Sequence, residues 1–129
     1  MKPGSKFGRA LLAFLLTVSS VKAADADSGK IQFNRDIRPI LSDLCFTCHG
    51  PEEKSRQGNL RLDSKESVFA DRNGYRIIVP GSSNASRLYQ KISSKEDAFR
   101  MPPAWSGRSL TPKQIELFRH HQFEPKRII

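Results

Sequence analysis

Apolar residues recur at intervals of three and four over residues 34–48, which is the period of one helical face. The spacing predicts a helix from about Arg38 into the cysteine-containing stretch. Pro39 suits the first turn, where its missing N–H costs little, and Gly50-Pro51 is a stop signal. The apolar positions are Ile37, Ile40, Leu41, Leu44, Cys45 and Cys48.

The last predicted helix has the clearest start. Thr111 is an N-cap residue, Pro112 takes the first helical position and Gln114 completes a capping box. Ile115 and Phe118 then lie on one face. The pattern predicts a helix here that would end before Pro125.

The middle of the chain predicts weaker elements. Residues 60–62 (LRL) alternate and favour a short strand-like piece without a sheet, and Asp63 or Ser64 could cap a helical turn through Phe69. Residues 72–74 (RNG) have the composition of a turn.

A further helix is expected after Ser83, its predicted N-cap, with an apolar face of Leu88, Tyr89 and Ile92. Met101-Pro102-Pro103 cannot be helix interior. We therefore expect a mostly α domain of three or more short helices joined by long loops. A small domain with this much loop would gain stability from a cross-link or a large apolar cofactor.

The first 23 residues have the order of a secretory signal. Residues 1–9 are basic, Ala10 to Val18 is an apolar run, and Val21 and Ala23 stand at the −3 and −1 positions of a cleavage site. The apolar run is far shorter than the ~20 residues needed to cross a bilayer. We expect export to the periplasm or cell envelope, with no stable membrane span after cleavage.

Charge says little about partners. Cleavage after Ala23 would remove four basic side chains and lower the formal net charge from +9 to +5. Residues 24–30 form a polar leader, and the remaining basic residues are scattered among carboxylates without forming a block. Export argues against a nucleic-acid partner, and a mildly basic surface suits an acidic partner or an anionic surface.

Cys45-Phe46-Thr47-Cys48-His49 contains both cysteines of the chain and one of its three histidines. A zinc site would need a fourth ligand from His120 or His121, and no second ligand pair has the required spacing. A thioredoxin-like redox motif would need a βαβ setting. A disulfide would explain the two cysteines but leave the histidine without a role.

A covalent haem c explains all three residues. Cys-x-x-Cys-His is the attachment pattern of c-type haem. Near a helix end, Cys45 and Cys48 face the same way and can form thioethers, and His49 follows as the proximal iron ligand. Export agrees, because haem c is attached outside the cytoplasm.

Met101 is the predicted distal ligand, since it is the only methionine left once Met1 is removed with the signal. His/Met ligation is found in electron-transfer cytochromes c. The alternatives are an ordinary core methionine, or His120 or His121 as the ligand. Apolar residues would form the haem pocket, and Trp105 and the nearby arginines are candidate propionate partners: Ile40, Leu41, Leu44, Leu62, Ile78, Val79, Leu88, Ile92, Phe99, Trp105, Leu110, Ile115 and Phe118.

The segments FNRDIRPILSDLCFTCHGPEEKSRQGNLRLDS, IVPGSSNASRLYQKI, RMPP and LTPKQIELF resemble the planctomycete-type cytochrome c domain over residues 31–119. The resemblance implies a class-I-like cytochrome c fold with Cys45, Cys48, His49 and Met101 in the matching positions. In that family a Trp-Ile pair and a Gly-Ala end continue the last helix. Residues 120–129 depart from this pattern and are interpreted as an atypical tail, with truncation of a longer protein as one explanation.

These features predict a monohaem electron carrier that passes single electrons between redox partner proteins and is not itself an enzyme. The alternative is a haem relay or active-site module of a larger exported oxidoreductase. A non-haem binding module with a disulfide is a third hypothesis.

Overall fold

The computed structural model describes Met1, Gly4, residues 30–121, Phe123 and Pro125. The predicted signal peptide and its polar leader therefore lie almost entirely outside the described residues, as does most of the tail after His121. No helix within the described part of the chain is long and apolar enough to span a membrane.

The described chain is helical. A π-helical turn at Phe33–Ile37 leads directly into α1, and a short 3₁₀ helix precedes the last α-helix. Over residues 30–121 there is no β-strand, only an isolated antiparallel bridge between Asp71 and Arg76. This agrees with the predicted mostly α class of short helices and loops. The α-helices are α1 (Arg38–Leu44), α2 (Phe46–His49), α3 (Lys65–Phe69), α4 (Arg87–Ser93) and α5 (Pro112–His120).

The first predicted helix is confirmed, with Pro39 in its first turn and its end at His49. Two features were not predicted. The π-helical turn extends the helix towards the N-terminus, where Asp36 Oδ2 accepts the Gln32 backbone N–H at 2.8 Å. The helix also breaks at Cys45, whose φ of −124° and ψ of −36° separate α1 from α2.

The capping predictions are confirmed for two helices. Ser64 Oγ accepts the Ser67 N–H at the start of α3. At the start of α5, Thr111 Oγ1 accepts the Gln114 N–H at 3.2 Å, and Gln114 Oε1 accepts the Thr111 N–H at 2.8 Å. This is the reciprocal capping box that the sequence predicts.

Two predictions in the middle of the chain were wrong. Residues 60–62 form no strand, because their backbone donors bond outside any β-ladder: Leu62 N–H, for example, donates to the His49 carbonyl at 2.7 Å. The helix expected after Ser83 begins one turn later, with Ser86 as its N-cap residue. Ser86 Oγ donates to the Ser82 carbonyl at 2.7 Å and so closes a separate turn before α4.

The core forms where the two ends of the domain meet. Helix α5 packs on α4 and on the π-helical turn. Ile37, Leu41, Val68 and Phe118 are the most deeply buried large side chains. Most of the apolar residues predicted to line a haem pocket are buried or partly buried, but Trp105 is 81% exposed and makes no contribution to this core. Phe33, Ile77 and Phe123 belong to the core without having been predicted.

Truncating Phe118 is expected to destabilise the domain strongly. Its ring is 1% exposed and stacks on Phe123 with 6.1 Å between centroids. Phe118→Ala should lower the free energy of unfolding by about 3–5 kcal/mol, because it removes a large buried side chain and leaves a cavity. Denaturant unfolding of the purified protein measures this. Leu117→Ala, at a partly buried neighbour, is the control, and equal losses in both variants would contradict the assignment of Phe118 to the core centre.

Candidate functional site

The two cysteines and His49 lie on one helical turn. The Cys45 carbonyl accepts the backbone N–H groups of Cys48 at 3.2 Å and of His49 at 2.8 Å. Both cysteines are free thiols and partly buried. The structure therefore brings together the three residues that the sequence singles out, and it forms no disulfide between Cys45 and Cys48.

His49 is oriented by a backbone carbonyl. Its Nδ1 lies 3.2 Å from the carbonyl oxygen of Gln57. Because a carbonyl only accepts, this contact requires the proton on Nδ1 and leaves the Nε2 lone pair available to a metal. Burial lowers the pKa of His49, opposed in part by the bond to Gln57. The lowered pKa favours the neutral imidazole, which is the form that binds a metal.

The loop after α2 folds back and holds the end of that helix. Gln57 N–H donates to the Cys48 carbonyl and Leu62 N–H donates to the His49 carbonyl, each at 2.7 Å. Arg56 closes the start of the loop through bonds to the Gly50 carbonyl at 3.1 Å and the Pro51 carbonyl at 2.7 Å. The last carbonyls of α2, which would otherwise lack partners, are satisfied by this loop.

Cys45 has the environment of a protected thiol. Burial raises its pKa to about 12, and the neighbouring Cys48 and Asp43 act in the same direction. The thiol therefore stays protonated at neutral pH and is a poor partner in thiol–disulfide exchange. These properties argue against a thioredoxin-like redox role.

The described residues do not assemble the zinc site that the sequence offered as an alternative. No group of three or more His, Cys, Asp or Glu side chains that could hold a metal ion occurs among the described residues. His120 lies at the surface and pairs with Glu116 at 3.2 Å. His121 is buried with its ring 4.4 Å from that of Phe123. Neither joins Cys45, Cys48 and His49 in a zinc cluster.

Met101 lies in a separate loop that is fixed at both ends. Its N–H donates to the Lys91 carbonyl of α4 at 3.0 Å. Further along the loop, Arg108 Nη1 donates to the Asp43 carbonyl at 2.7 Å. Asp43 precedes Cys45 by two residues, so this bond ties the Met101 loop to the helix that leads into the cysteines.

Cationic side chains also brace the Met101 loop from within. Arg100 Nη1 donates to the Pro102 carbonyl at 3.0 Å, and its Nε donates to Asp97 at 2.9 Å. Lys91 Nζ donates to the Phe99 carbonyl at 3.1 Å and lies 4.0 Å from the centroid of that ring. The arginines considered as propionate partners, Arg100 and Arg108, are thus both engaged with backbone carbonyls.

An alanine at position 50 should disturb the position of the His49 side chain. Gly50 is buried, and a Cβ there would collide with the carbonyl oxygen of Phe46 and approach the Phe46 Cβ to 2.9 Å. Gly50→Ala should cost roughly 1–3 kcal/mol of unfolding free energy, as overpacking does, and should lower the fraction of purified protein that retains a cofactor.

Gly81→Ala provides the matched control for this glycine. Gly81 has a φ of +73° but nothing within 4 Å of an added Cβ, so its replacement tests backbone strain alone. Denaturant unfolding and cofactor content should be measured on both variants. Unchanged cofactor content in Gly50→Ala would mean that the Phe46–Gly50 contact does not position His49.

The donor chemistry fits an iron porphyrin. Two unpaired thiols can form thioethers, a neutral imidazole presents Nε2, and a thioether side chain is held in a braced loop. This combination of Cys, His and Met donors is typical of c-type haem proteins. Zinc would require further thiolates or imidazoles that the described residues do not gather.

The helical fold and the Cys-x-x-Cys-His turn define a small c-type cytochrome domain. Residues 45–104 match the family model described as planctomycete cytochrome C, and this part of the chain is a planctomycete-type cytochrome c domain. That family implies covalent haem c and a role in electron transfer. No curated protein and no solved structure matches the chain.

Proposed function

We propose that this protein is an exported monohaem cytochrome that carries single electrons between redox partner proteins. Cys45 and Cys48 would bind the haem vinyl groups as thioethers, His49 would be the proximal iron ligand and Met101 the distal one. A bound haem supplies a one-electron Fe(III)/Fe(II) couple. The protein contributes attachment, axial ligation and control of solvent access, and performs no chemistry on a substrate.

The hydrogen bond between His49 Nδ1 and the Gln57 carbonyl is the observation that carries this proposal. It fixes the tautomer and the ring orientation that an iron ligand requires. A histidine that only fills space in the core would not need this orientation, in which Nε2 is available to a metal. It also would not need to lie on the same turn as two free thiols. The short loop from Gly50 to Leu62 makes this arrangement rigid through backbone bonds.

Burial around the thiols supports a haem whose edge is shielded from water. Leu44, Cys45, Phe46 and Leu60 are partly buried and pack against the core. Apolar side chains next to the attachment turn would lower the local dielectric and help set the reduction potential. The braced Met101 loop would limit exchange of the sixth ligand with water or small molecules.

The proposals that the protein is exported and that its partners are redox proteins are based on the sequence. The basic start, apolar run and small-residue cleavage site of residues 1–23 support secretion. Secretion before haem attachment would place the protein in the periplasm or cell envelope, where its partners would be other redox proteins.

Spectroelectrochemical titration of the purified holo-protein tests the function. We expect one reversible couple with one electron per chain, one haem per chain by the pyridine haemochrome assay, and an N-terminus at Ala24. Two or more haems per chain would contradict the monohaem assignment. A sixth position open to cyanide in the oxidised protein, together with turnover of a substrate, would favour the oxidoreductase alternative.

A further inference from the structure

Positive charge is concentrated in one segment of the chain. Between residues 72 and 95 there are five cationic side chains and no carboxylate. This equals the formal net charge of +5 expected for the mature chain. The five residues are Arg72, Arg76, Arg87, Lys91 and Lys95.

The fold brings two of these cations to one open groove. Asn73 and Gly74 adopt positive φ and form the turn that the sequence predicts. The chain after this turn is joined to α4, where Arg87 N–H donates to the Arg76 carbonyl at 3.0 Å. The groove between them has a volume of about 570 Å³, within the range of binding sites for small groups. Its lining includes Tyr75, Arg76, Val79, Ala85, Arg87 and Gln90.

Arg87 is held in place before anything binds. Its guanidinium lies 4.7 Å from the centroid of the Tyr75 ring and 5.8 Å from that of Phe99. Arg87 Nη1 donates to Gln90 Oε1 at 3.2 Å, and Gln90 Nε2 in turn donates to the Asn84 carbonyl at 2.8 Å. A guanidinium ordered in this way loses little side-chain entropy when it binds a carboxylate.

Arg76 supplies an uncommitted charge on the same groove. It is exposed, and within the described ranges its guanidinium makes no ion pair or hydrogen bond. Asp71 also lines the groove, with one carboxylate oxygen accepting the Gly74 N–H at 3.1 Å, so the lining carries two guanidiniums against one carboxylate. Arg72 points elsewhere and bonds to the Asn59 carbonyl and Ser67 Oγ.

We propose that this groove docks a carboxylate-bearing segment of an acidic redox partner protein. The inference rests on the proposed electron-transfer function. Two guanidiniums and an exposed tyrosine, Tyr75, form the kind of surface that is enriched at protein interfaces. A small polar contact of this kind suits the transient complexes of electron transfer. Helix α4, which carries Arg87 and Gln90 of the groove, also holds the Met101 loop, because the Lys91 carbonyl accepts the Met101 N–H.

The test uses reduced, mature holo-protein and a hexaglutamate peptide as the acidic probe. NMR titration should give shift changes centred on the Tyr75 ring, the Arg87 Nε–H and the Gln90 side-chain amide. Arg76→Glu should weaken binding roughly fivefold or more, and Arg76→Gln should have a smaller effect in the same direction. Arg38→Glu, an equal charge change at an exposed position of α1, is the control and should weaken binding less than about twofold.

Three results would overturn the docking site. Equal weakening of hexaglutamate binding by Arg76→Glu and Arg38→Glu would show that the effect comes from net charge alone. NMR shift changes elsewhere on the protein would place the binding site outside the groove. Citrate binding as tightly as hexaglutamate would assign the groove to a small anion rather than a partner segment. Haem content is measured on every sample, so that failure of the groove and failure of the proposed function can be distinguished. A purified protein that binds hexaglutamate but contains no haem would support the groove and contradict the proposed electron carrier.

Discussion

Replacing Cys45 and Cys48 together by serine will abolish covalent haem attachment. A serine hydroxyl does not form the thioether that a cysteine thiol forms with a haem vinyl group, so any haem remaining would be held only by its iron ligands and by packing. Haem staining after denaturing electrophoresis should fall from full intensity to background. The variant should also unfold more readily, because a ligand that can dissociate stabilises the folded state less than a tethered one.

Thr47→Ala is the matched control for the double variant. Thr47 lies between the two cysteines and is exposed, so its replacement alters the same turn without removing a thiol. It should retain haem at the wild-type level. Haem stain surviving denaturation in the double serine variant would show that the two thiols are not the attachment points. Loss of stain in Thr47→Ala as well would indicate a general failure of the turn.

Replacing Met101 should open the sixth position of the iron. If Met101 is the distal ligand, its sulfur competes with added ligands, and removing it should raise the affinity for imidazole by roughly tenfold or more, equivalent to at least about 1.4 kcal/mol. The reduction potential should fall as well, because methionine ligation raises it. Optical titration of the oxidised protein with imidazole and a redox titration measure the two effects.

Comparison of Met101→Ala with Met101→Leu separates ligation from packing. Leucine keeps much of the methionine volume but has no sulfur, so both variants should bind imidazole equally well if the sulfur ligates iron. If Met101 only fills space, Met101→Leu should behave like the wild type. That outcome would remove Met101 from the site and leave its braced loop, held by Lys91 and Arg100, with a purely structural role.

The features that were predictable from sequence are those encoded locally. The capping box at Thr111 and Gln114 joins residues three positions apart, and its geometry was fully anticipated. The turn that carries Cys45, Cys48 and His49 is likewise a local helical arrangement. In such cases the interacting groups are adjacent in sequence, and the side-chain chemistry identifies them.

The remaining site features depend on backbone groups or on distant contacts. The partner of His49 is the carbonyl of Gln57, and every residue type has a carbonyl, so no sequence signal identifies it. The bond from Arg108 to the Asp43 carbonyl spans 65 positions. Such contacts depend on tertiary folding and could not be read from local periodicity.

The misplaced start of α4 has a different origin. Ser83 and Ser86 are both acceptable N-cap residues, and the choice between them was made by a turn in which Ser86 Oγ donates to the Ser82 carbonyl. Trp105, which was expected to line the haem pocket or to contact a propionate, lies in a short 3₁₀ helix and is 81% exposed, and its role towards haem stays a prediction. For the N-cap, residue type was compatible with two positions, and a turn at Ser82–Ser86 selected one of them.

Intact-mass measurement under denaturing conditions tests the central claim most directly. The protein should be purified after expression in a host that matures c-type cytochromes. The account predicts one species whose mass equals that of residues 24–129 plus one haem, because thioether bonds survive denaturation. A mass equal to the polypeptide alone, or to the polypeptide less two hydrogens as a Cys45–Cys48 disulfide would give, would contradict it.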